Sequence, residues 1–313
     1  MARYTVLEEK DIDEIGRHYA LSIVDFEPMA GGAGNSSYLV TSQNEKYVLT
    51  IFDDKSLAHV SQLAKLLGYL ATNDFTTTRI LLAENNSNPV MRFGNKPVLV
   101  KEYITGEVCS NCDEKMLIQV GSSMATLHQI SVPDFLPREH PYGKQEFPSV
   151  VETKIDAEYE EWLAERCKYL DQYLPKDLPT SLIHGDLFFD NVLFEEGELK
   201  ALIDFEEACQ YYRVFDIGMG IVGMCTETGK INVEKAKAFV RGYQQVQLLE
   251  DIEEDRLQLF IEYAAIATSY WRFWKYNIHE PMPTKAQLHQ QMVEIANEVA
   301  SIPQKEFRKA LFD

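Results

Sequence analysis

The chain has 313 residues, of which 45% are hydrophobic and 25% charged, a composition typical of a folded globular protein rather than a disordered one. Asp and Glu total 49 against 30 Lys and Arg, which gives a formal charge of −19. Nucleic acids and anionic membrane surfaces are bound through clustered Lys and Arg, so this balance argues against both as partners. The length predicts about two domains or lobes.

The sequence shows no signal peptide at its start and no apolar run near the roughly 18 residues of a membrane-spanning helix. Its five cysteines are odd in number and scattered, which is typical of reduced thiols in a cytoplasmic protein. Cys109 and Cys112 form a C-x-x-C pair, but no second pair of Cys or His follows at a zinc-binding spacing. Buried or half-buried thiols are therefore expected.

The first hundred residues predict a small, mainly antiparallel sheet with a short helix over residues 8–20 before it. A loop of small residues, Gly31–Ser37, precedes the first predicted strand, and polar residues 43–45 suit a hairpin turn. The predicted strands cover residues 38–41, 46–52, 79–83 and 98–104, and a predicted helix covers residues 59–71.

From about Ser110 the pattern becomes mostly helical, and Ser110 with Asp113 is interpreted as a capping box for a helix that ends near Ile130. Two short strands, 192–194 and 199–203, interrupt the helices. Further helices are predicted over residues 155–173, 233–246, 252–274 and 285–300. We therefore predict an α+β fold with a small sheet lobe (residues 1–104), a hinge near residues 101–106 and a larger, mainly helical lobe (residues 105–313).

One segment carries a pattern typical of catalysis. Asn191 lies five positions after Asp186, and Asp204 ends an apolar strand thirteen positions further on. In kinases, an Asp at the first place accepts the hydroxyl proton, while the Asn and second Asp hold magnesium, which prefers oxygen ligands. The alternative is a capped hairpin with surface acids, but that reading leaves the shared register of all three to coincidence. We interpret Asp186 as the catalytic base and Asn191 and Asp204 as magnesium ligands.

The glycine-rich loop is a candidate for binding nucleotide phosphates through backbone N–H groups and polar side chains. Taken alone, the loop is equally consistent with an ordinary glycine-rich turn. Its position before the catalytic segment, in the order that kinases use, favours the phosphate loop. The cofactor-binding candidates for ATP are Gly32, Gly34, Asn35 and Ser36 in or beside the loop, and Glu102 and Ile104 in the hinge.

The catalytic segment resembles the aminoglycoside phosphotransferase and choline kinase superfamily, which carries H-G-D-x-x-x-x-N and I-D-[FW]-[ED] at this spacing. Within that superfamily the chain is most similar to type II homoserine kinases. The similar segments are 34–40, 46–52, 184–193, 203–209, 215–218 and 272–274. The resemblance covers essentially the whole chain. It implies a protein-kinase-like two-lobe fold, ATP and Mg²⁺ as cofactors, and phosphorylation of the side-chain hydroxyl of L-homoserine in threonine biosynthesis.

The chain also departs from the superfamily pattern. Thr50 stands where the third strand usually carries a Lys that pairs with the phosphates, and the homoserine kinase group often has Thr there. Lys55 or Lys65 is a candidate replacement. Phe189 replaces a usual Pro in the catalytic loop. The resemblance implies that Asp216 braces that loop, and the alternative is an ordinary acid at a helix N-terminus.

Homoserine carries an ammonium and a carboxylate besides its hydroxyl, so an acid and an Arg are expected in its site. Arg272 is the carboxylate candidate, with a surface Arg beside core aromatics as the alternative. Glu206 is the ammonium candidate, although it and Glu207 are equally consistent with solvated surface acids. His128 is expected to pack in the interior rather than bind a ligand.

Two other functions stay open at this point. One is a kinase of the same superfamily that phosphorylates an aminoglycoside, choline or a sugar, although the missing Lys at Thr50 disfavours it. The other is a silent nucleotide-binding pseudokinase. The Lys–Glu ion pair of kinases is missing here, since Thr50 replaces the Lys and no Glu occurs in the helix predicted over residues 59–71, and this suggests such a protein. The retained Asp186, Asn191 and Asp204 oppose it. The expected partner is a small amino-acid or alcohol substrate, bound by a monomer or a homodimer.

Overall fold

The structure, a computed structural model, describes residues 5–29, 34–83 and 88–312 of the chain. It combines antiparallel strands with helices, so the predicted α+β class is confirmed. The chain divides into two compact units, which are residues 1–106 with 200–203, and residues 107–199 with 204–313.

The first unit is built on a five-stranded antiparallel sheet whose strand order is β1-β2-β3-β5-β4. Its elements are α1 (Glu9–Tyr19), β1 (Ile23–Pro28), β2 (Asn35–Ser42), β3 (Glu45–Phe52), α2 (Leu57–Thr72), β4 (Met91–Phe93) and β5 (Lys96–Glu102). One face of the sheet packs on α1, where Tyr19 is buried and its hydroxyl donates to the Val98 carbonyl oxygen at 3.0 Å. The hairpin between β2 and β3 turns at Gln43 and Asn44, whose positive φ angles match a two-residue turn.

The predicted strand over residues 79–83 is wrong. Among the described residues it forms a single bridge, between Ile80 and Lys101, flanked by backbone bonds from Leu81 to Val100 and from Glu102 to Arg79. The edge strands β1 and β4 were not predicted. β4 has only three residues, and the register of β1 shifts between Ile23 and Asp25, so neither strand has a run of alternating residues long enough to be recognised.

The second unit is mainly helical, with short strand pairs between the helices. β6 pairs with β8, β7 with β10, and β11 with β12. Its elements are β6 (Glu107–Val108), α3 (Glu114–Gln129), α4 (Ala157–Tyr173), β7 (Thr180–Ile183), β8 (Val192–Glu195), β9 (Glu198–Leu202, whose last residues group with the first unit), β10 (Cys209–Tyr212), α5 (Arg213–Met224), β11 (Thr226–Glu227), β12 (Lys230–Ile231), α6 (Val233–Gln244), α7 (Asp251–Phe273), a π-helical turn (Trp274–His279), α8 (Gln290–Ser301) and α9 (Gln304–Phe312).

The core of the second unit lies where α5 packs on α7 and α3 packs on α6. Gly218 of α5 allows the first contact, because a Cβ there would lie 2.6 Å from the Phe260 carbonyl oxygen. Gly121 of α3 meets the backbone of Phe239 in α6 in the same way. Within the described residues, no helix has both the length and the apolar character to cross a membrane.

Two sequence-based predictions fail in this unit, and one helix was missed. Ser110 does not cap α3: Asp113 is itself the N-cap, and its carboxylate accepts from the Met116 amide at 2.9 Å. The helix predicted over residues 285–300 begins only at Gln290, because turns occupy the residues before it. α9 was not predicted. Its apolar face is narrow, with Phe307 and Leu311 as its buried residues.

Glu160 anchors the loop that leads into α4. Its carboxylate accepts hydrogen bonds from the Thr153 hydroxyl and the backbone amides of Lys154, Ile155 and Asp156, at 2.8–3.2 Å. Although burial opposes ionisation, these bonds lower the pKa of Glu160 to about 2. A carboxylate with a depressed folded pKa stabilises the fold above its ordinary pKa and loses that contribution as pH falls.

We expect Glu160→Gln to lower the free energy of unfolding by about 1–3 kcal/mol at neutral pH, since an amide offers one acceptor oxygen to four donors. The difference from wild type should shrink as pH falls from the ordinary value of 4.5 towards 2, where the wild-type carboxylate protonates. Denaturant unfolding of both proteins at pH values across this window measures the effect. Equal stability at neutral pH would contradict the anchoring role.

Candidate active site

The candidate site begins where β7 ends, at the segment His184–Asp186. Gly185 has a φ of +83°, a conformation that other residues rarely adopt. A Cβ at this position would also lie 2.6 Å from the Glu207 carbonyl oxygen. The chain can therefore turn here only with glycine, and the turn sets the direction in which Asp186 leaves the strand.

Asp216, in the first turn of α5, braces this turn. Its buried carboxylate accepts hydrogen bonds from the His184 amide at 2.9 Å and the Gly185 amide at 2.8 Å. His128 Nε2 lies 2.9 Å from the same carboxylate, and its Nδ1 lies 2.8 Å from the Tyr243 hydroxyl. Burial opposes ionisation of Asp216, but the His128 bond and charge hold its pKa below the ordinary value. Asp216 is thus both an N-terminal helix acid and a brace of the turn that leads into Asp186.

Asp186 is half-buried, and its Oδ1 accepts a hydrogen bond of 2.6 Å from the Tyr142 hydroxyl. Burial raises the pKa of Asp186 to about 7. The Tyr142 bond works against this rise, while the negative charges of Glu207, Asp204 and Asp190 add to it. This carboxyl group therefore holds a proton more readily than an exposed Asp, which is consistent with the predicted role of a general base.

The other two residues of the predicted catalytic pattern lie in the same neighbourhood. Asn191 ends a short 3-10 turn and donates from Nδ2 to the Asp186 carbonyl oxygen at 2.8 Å, which leaves its Oδ1 for another partner. Asp204 is exposed, has a φ of +67°, and its charge raises the pKa of both Asp186 and Asp190. One amide oxygen and one carboxylate suit a hard cation that takes its remaining ligands from phosphate and water, so these residues fit Mg²⁺.

Arg272, in the last turn of α7, also lies near this group. Its Nη1 donates to the Leu288 carbonyl oxygen at 3.3 Å and the Gln291 side-chain oxygen at 3.2 Å. Burial lowers the pKa of Arg272, and the charges of Asp186 and Asp190 act in the opposite direction. The guanidinium therefore stands within electrostatic reach of the predicted base, although the sequence pattern did not show which acids it meets.

The second acceptor candidate, Glu206, is half-buried and follows Asp204 by two residues. Its contact with a substrate ammonium stays a prediction. Asp190 was not proposed from the sequence, and its charge acts on Arg272 together with that of Asp186.

The predicted nucleotide-binding residues belong to the first unit. Gly32 lies outside the described residues. Gly34 and Asn35 are half-buried at the start of β2, Glu102 ends β5, and Ile104 follows it. Contacts of all these residues with a nucleotide stay predictions.

Ser36 is part of a polar cluster within the first unit. Its buried hydroxyl donates to Asp53 Oδ2 at 2.6 Å and accepts from the Thr5 amide at 2.8 Å. Lys96 Nζ pairs with Asp53 Oδ1 at 2.6 Å. Because the hydroxyl already forms these hydrogen bonds within the first unit, any contact of Ser36 with a nucleotide would have to be made by its backbone.

Thr50, at the place of the usual Lys, is buried on β3 opposite Leu99 of β5. Its hydroxyl has no hydrogen-bond partner within the described part of the chain. Whether Lys55 or Lys65 replaces the missing charge stays a prediction.

Sequence reasoning missed two residues that contact the catalytic turn, Tyr142 and His140. The Tyr142 hydroxyl and His140 Nε2 lie 3.1 Å and 2.9 Å from the Gly185 carbonyl oxygen. Both residues belong to the irregular segment between α3 and α4, where neither periodicity nor a motif marks a side chain. Only the fold brings them beside Asp186.

Comparison with known proteins identifies relatives over nearly the whole chain. The model of the phosphotransferase enzyme family (APH) matches residues 25–258. A homoserine kinase of Agrobacterium fabrum is 28% identical over 301 residues, which cover 91% of this chain and 90% of that protein. A homoserine kinase of Zymomonas mobilis is 24% identical over 285 residues, covering 88% and 89%.

Solved structures with the same fold include kinases of several small molecules. An amicoumacin kinase, in complex with AMP-PNP, has a TM-score of 0.75 at 16% identity and covers 96% of this chain and 97% of its own. A choline kinase of Streptococcus pneumoniae has a TM-score of 0.66 at 18% identity, covering 94% and 99%. These similarities confirm the predicted kinase-like fold. Since the family model covers well over half of the sequence, the chain belongs to the phosphotransferase enzyme family.

Proposed function

We propose that this phosphotransferase uses ATP and Mg²⁺ to phosphorylate the side-chain hydroxyl of L-homoserine, a step of threonine biosynthesis. The observation that carries the proposal is the neighbourhood of Asp186, where a half-buried acid, a set of oxygen ligands and a guanidinium occur together. The similarity to homoserine kinases over about 90% of both chains supports the choice of substrate.

In this proposal Asp186 orients the acceptor hydroxyl and takes its proton, while Asn191 Oδ1 and the Asp204 carboxylate hold the cation. A Mg²⁺ ion held there would neutralise charge on the phosphates of ATP. The protein's own part is positioning: the Asn191 amide is already fixed by its bond to the Asp186 backbone, so base and ligand keep a constant separation. Gly34, Asn35, Ser36, Glu102 and Ile104, together with Gly32, are the proposed nucleotide contacts.

The acceptor would be held by its two charged groups. Arg272 binds the α-carboxylate, and its orientation is set by the Leu288 and Gln291 contacts of Nη1. Asp190 or Glu206 binds the α-ammonium, with Asp190 favoured because its charge already acts on Arg272. A zwitterion with a terminal hydroxyl thus matches the alternation of charges around Asp186.

The test is ADP release by the purified protein with ATP and Mg²⁺ and a panel of acceptors. We expect turnover with L-homoserine. Its decarboxylated amino alcohol and its deaminated hydroxy acid should each lose roughly tenfold to hundredfold in kcat/KM, as expected for one lost charge-assisted hydrogen bond. Turnover of choline or an aminoglycoside without homoserine would replace the substrate. Silence with every acceptor, despite ATP binding, would favour a nucleotide-binding module.

A further inference from the structure

A carboxylate base has two oxygens, and only one can face the acceptor hydroxyl in a productive geometry. A half-turn about the Cβ–Cγ bond only exchanges the two equivalent oxygens, but intermediate rotations aim neither oxygen at the hydroxyl. An unrestrained Asp would therefore spend part of its time misaligned. In this protein Oδ1 of Asp186 is taken by the Tyr142 hydroxyl at 2.6 Å. No described residue forms a hydrogen bond with Oδ2.

Tyr142 is itself firmly placed. Its side chain is buried, at 5% exposure, and its ring contacts His140 edge-to-face with 4.2 Å between ring centroids. His140 is fully buried, and its Nε2 lies 2.9 Å from the Gly185 carbonyl oxygen. The Tyr142 ring also lies 6.4 Å, between centroids, from the ring of Trp271, the neighbour of Arg272. The hydroxyl therefore approaches Asp186 from a direction fixed by packing.

We propose that Tyr142 is a positioning residue for phosphoryl transfer, which holds Oδ1 of Asp186 so that Oδ2 is the oxygen presented to the acceptor hydroxyl. The inference rests on the proposed kinase activity and on Asp186 as its base, but not on homoserine as the acceptor. The proton of the acceptor goes to Oδ2, while Tyr142 keeps its own proton and its bond to Oδ1 throughout.

If Tyr142 served only the stability of the fold, the outcome of its substitution would differ from that expected of a positioning residue. Removing its hydroxyl would then change stability and leave the kinetics of folded protein untouched. If the hydroxyl acts through Asp186, its loss lowers kcat, with little change in the KM of ATP or acceptor. That loss should also disappear once Asp186 no longer serves as a base, since the two residues then act as one unit.

The experiment compares wild type, Tyr142→Phe, Asp186→Asn and the double variant, with the acceptor that wild type turns over. We expect Tyr142→Phe to lower kcat by roughly tenfold to hundredfold, the scale of a misaligned catalytic group. The double variant should be no slower than Asp186→Asn alone. Tyr159→Phe is the matched control, because Tyr159 is equally buried and its hydroxyl bonds to Ser269 at 3.0 Å, apart from Asp186.

An active wild type with an unchanged kcat in Tyr142→Phe, or with additive losses in the double variant, overturns this inference and leaves the proposed function standing. An inactive wild type overturns the proposed function, and this inference with it. If Tyr142→Phe does not fold, a fluorinated tyrosine at position 142 keeps the shape and makes the hydroxyl a stronger donor. Its kcat should fall because Asp186 becomes a weaker base, and an unaltered kcat overturns the inference.

Discussion

Asp186→Asn is expected to lower kcat by about three to four orders of magnitude, the upper part of the range for loss of a general base. The amide keeps the shape of the side chain and can still orient the acceptor, but it cannot take the proton. Nucleotide affinity should stay within about threefold of wild type, because the proposed cation ligands are Asn191 and Asp204. Single-turnover kinetics and equilibrium binding of an ATP analogue measure the two quantities separately.

Asp177→Asn is the control for this variant, since Asp177 is exposed in the segment between α4 and β7. It should retain wild-type turnover. If Asp186→Asn kept more than about a tenth of wild-type kcat, proton transfer to Asp186 would not be required, and the reaction would depend on positioning alone.

Asp216→Ala is expected to be the most destabilising single change in the site, with a loss of about 3–5 kcal/mol in the free energy of unfolding. The substitution would leave the amides of His184 and Gly185, and the ring of His128, without their buried acceptor. Asp216→Asn, which keeps one acceptor oxygen, should lie between Ala and wild type. Denaturant unfolding followed by circular dichroism measures the series.

The same variants should lose turnover in the same order, because the braced turn carries Asp186. Asp216→Ala protein that was as stable as wild type would show that the buried carboxylate contributes nothing net to the fold. A stable variant with normal kcat would show in addition that the turn keeps its shape without the brace.

The neighbourhood of Asp186 could be predicted from the sequence as far as it is built from residues close together along the chain. Asp186, Asn191 and Asp204 belong to one strand, turn and hairpin, so their spacing along the chain already implies their proximity. Tyr142 stands more than forty residues from Asp186 and meets it only through tertiary packing. The spacing of motif residues along the chain carries no information about such a distant partner. A Tyr in an irregular segment is not marked by any hydrophobic periodicity either.

The same contrast separates the helices that were predicted from the elements that were not. α4 and α6 each bury apolar residues at helical spacing, so their period survives in the sequence. The strand expected over residues 79–83 is apolar enough, but it finds only one bridge on β5. A β-strand forms only where a neighbouring strand accepts its backbone hydrogen bonds. Which distant segments pair depends on the whole fold and not on the local sequence.

Asp216 connects the chemistry of this protein to its scaffold. Asp216 belongs to α5, and its carboxylate contacts His128 of α3, which in turn contacts Tyr243 of α6. The turn that leads into Asp186 is thereby connected to three helices. A substitution that loosens the packing of these helices, even far from any substrate, would be transmitted to Asp186 as misalignment. Tolerance to mutation in this enzyme should therefore be limited by the rigidity of its helical interior as much as by the identity of its reactive groups.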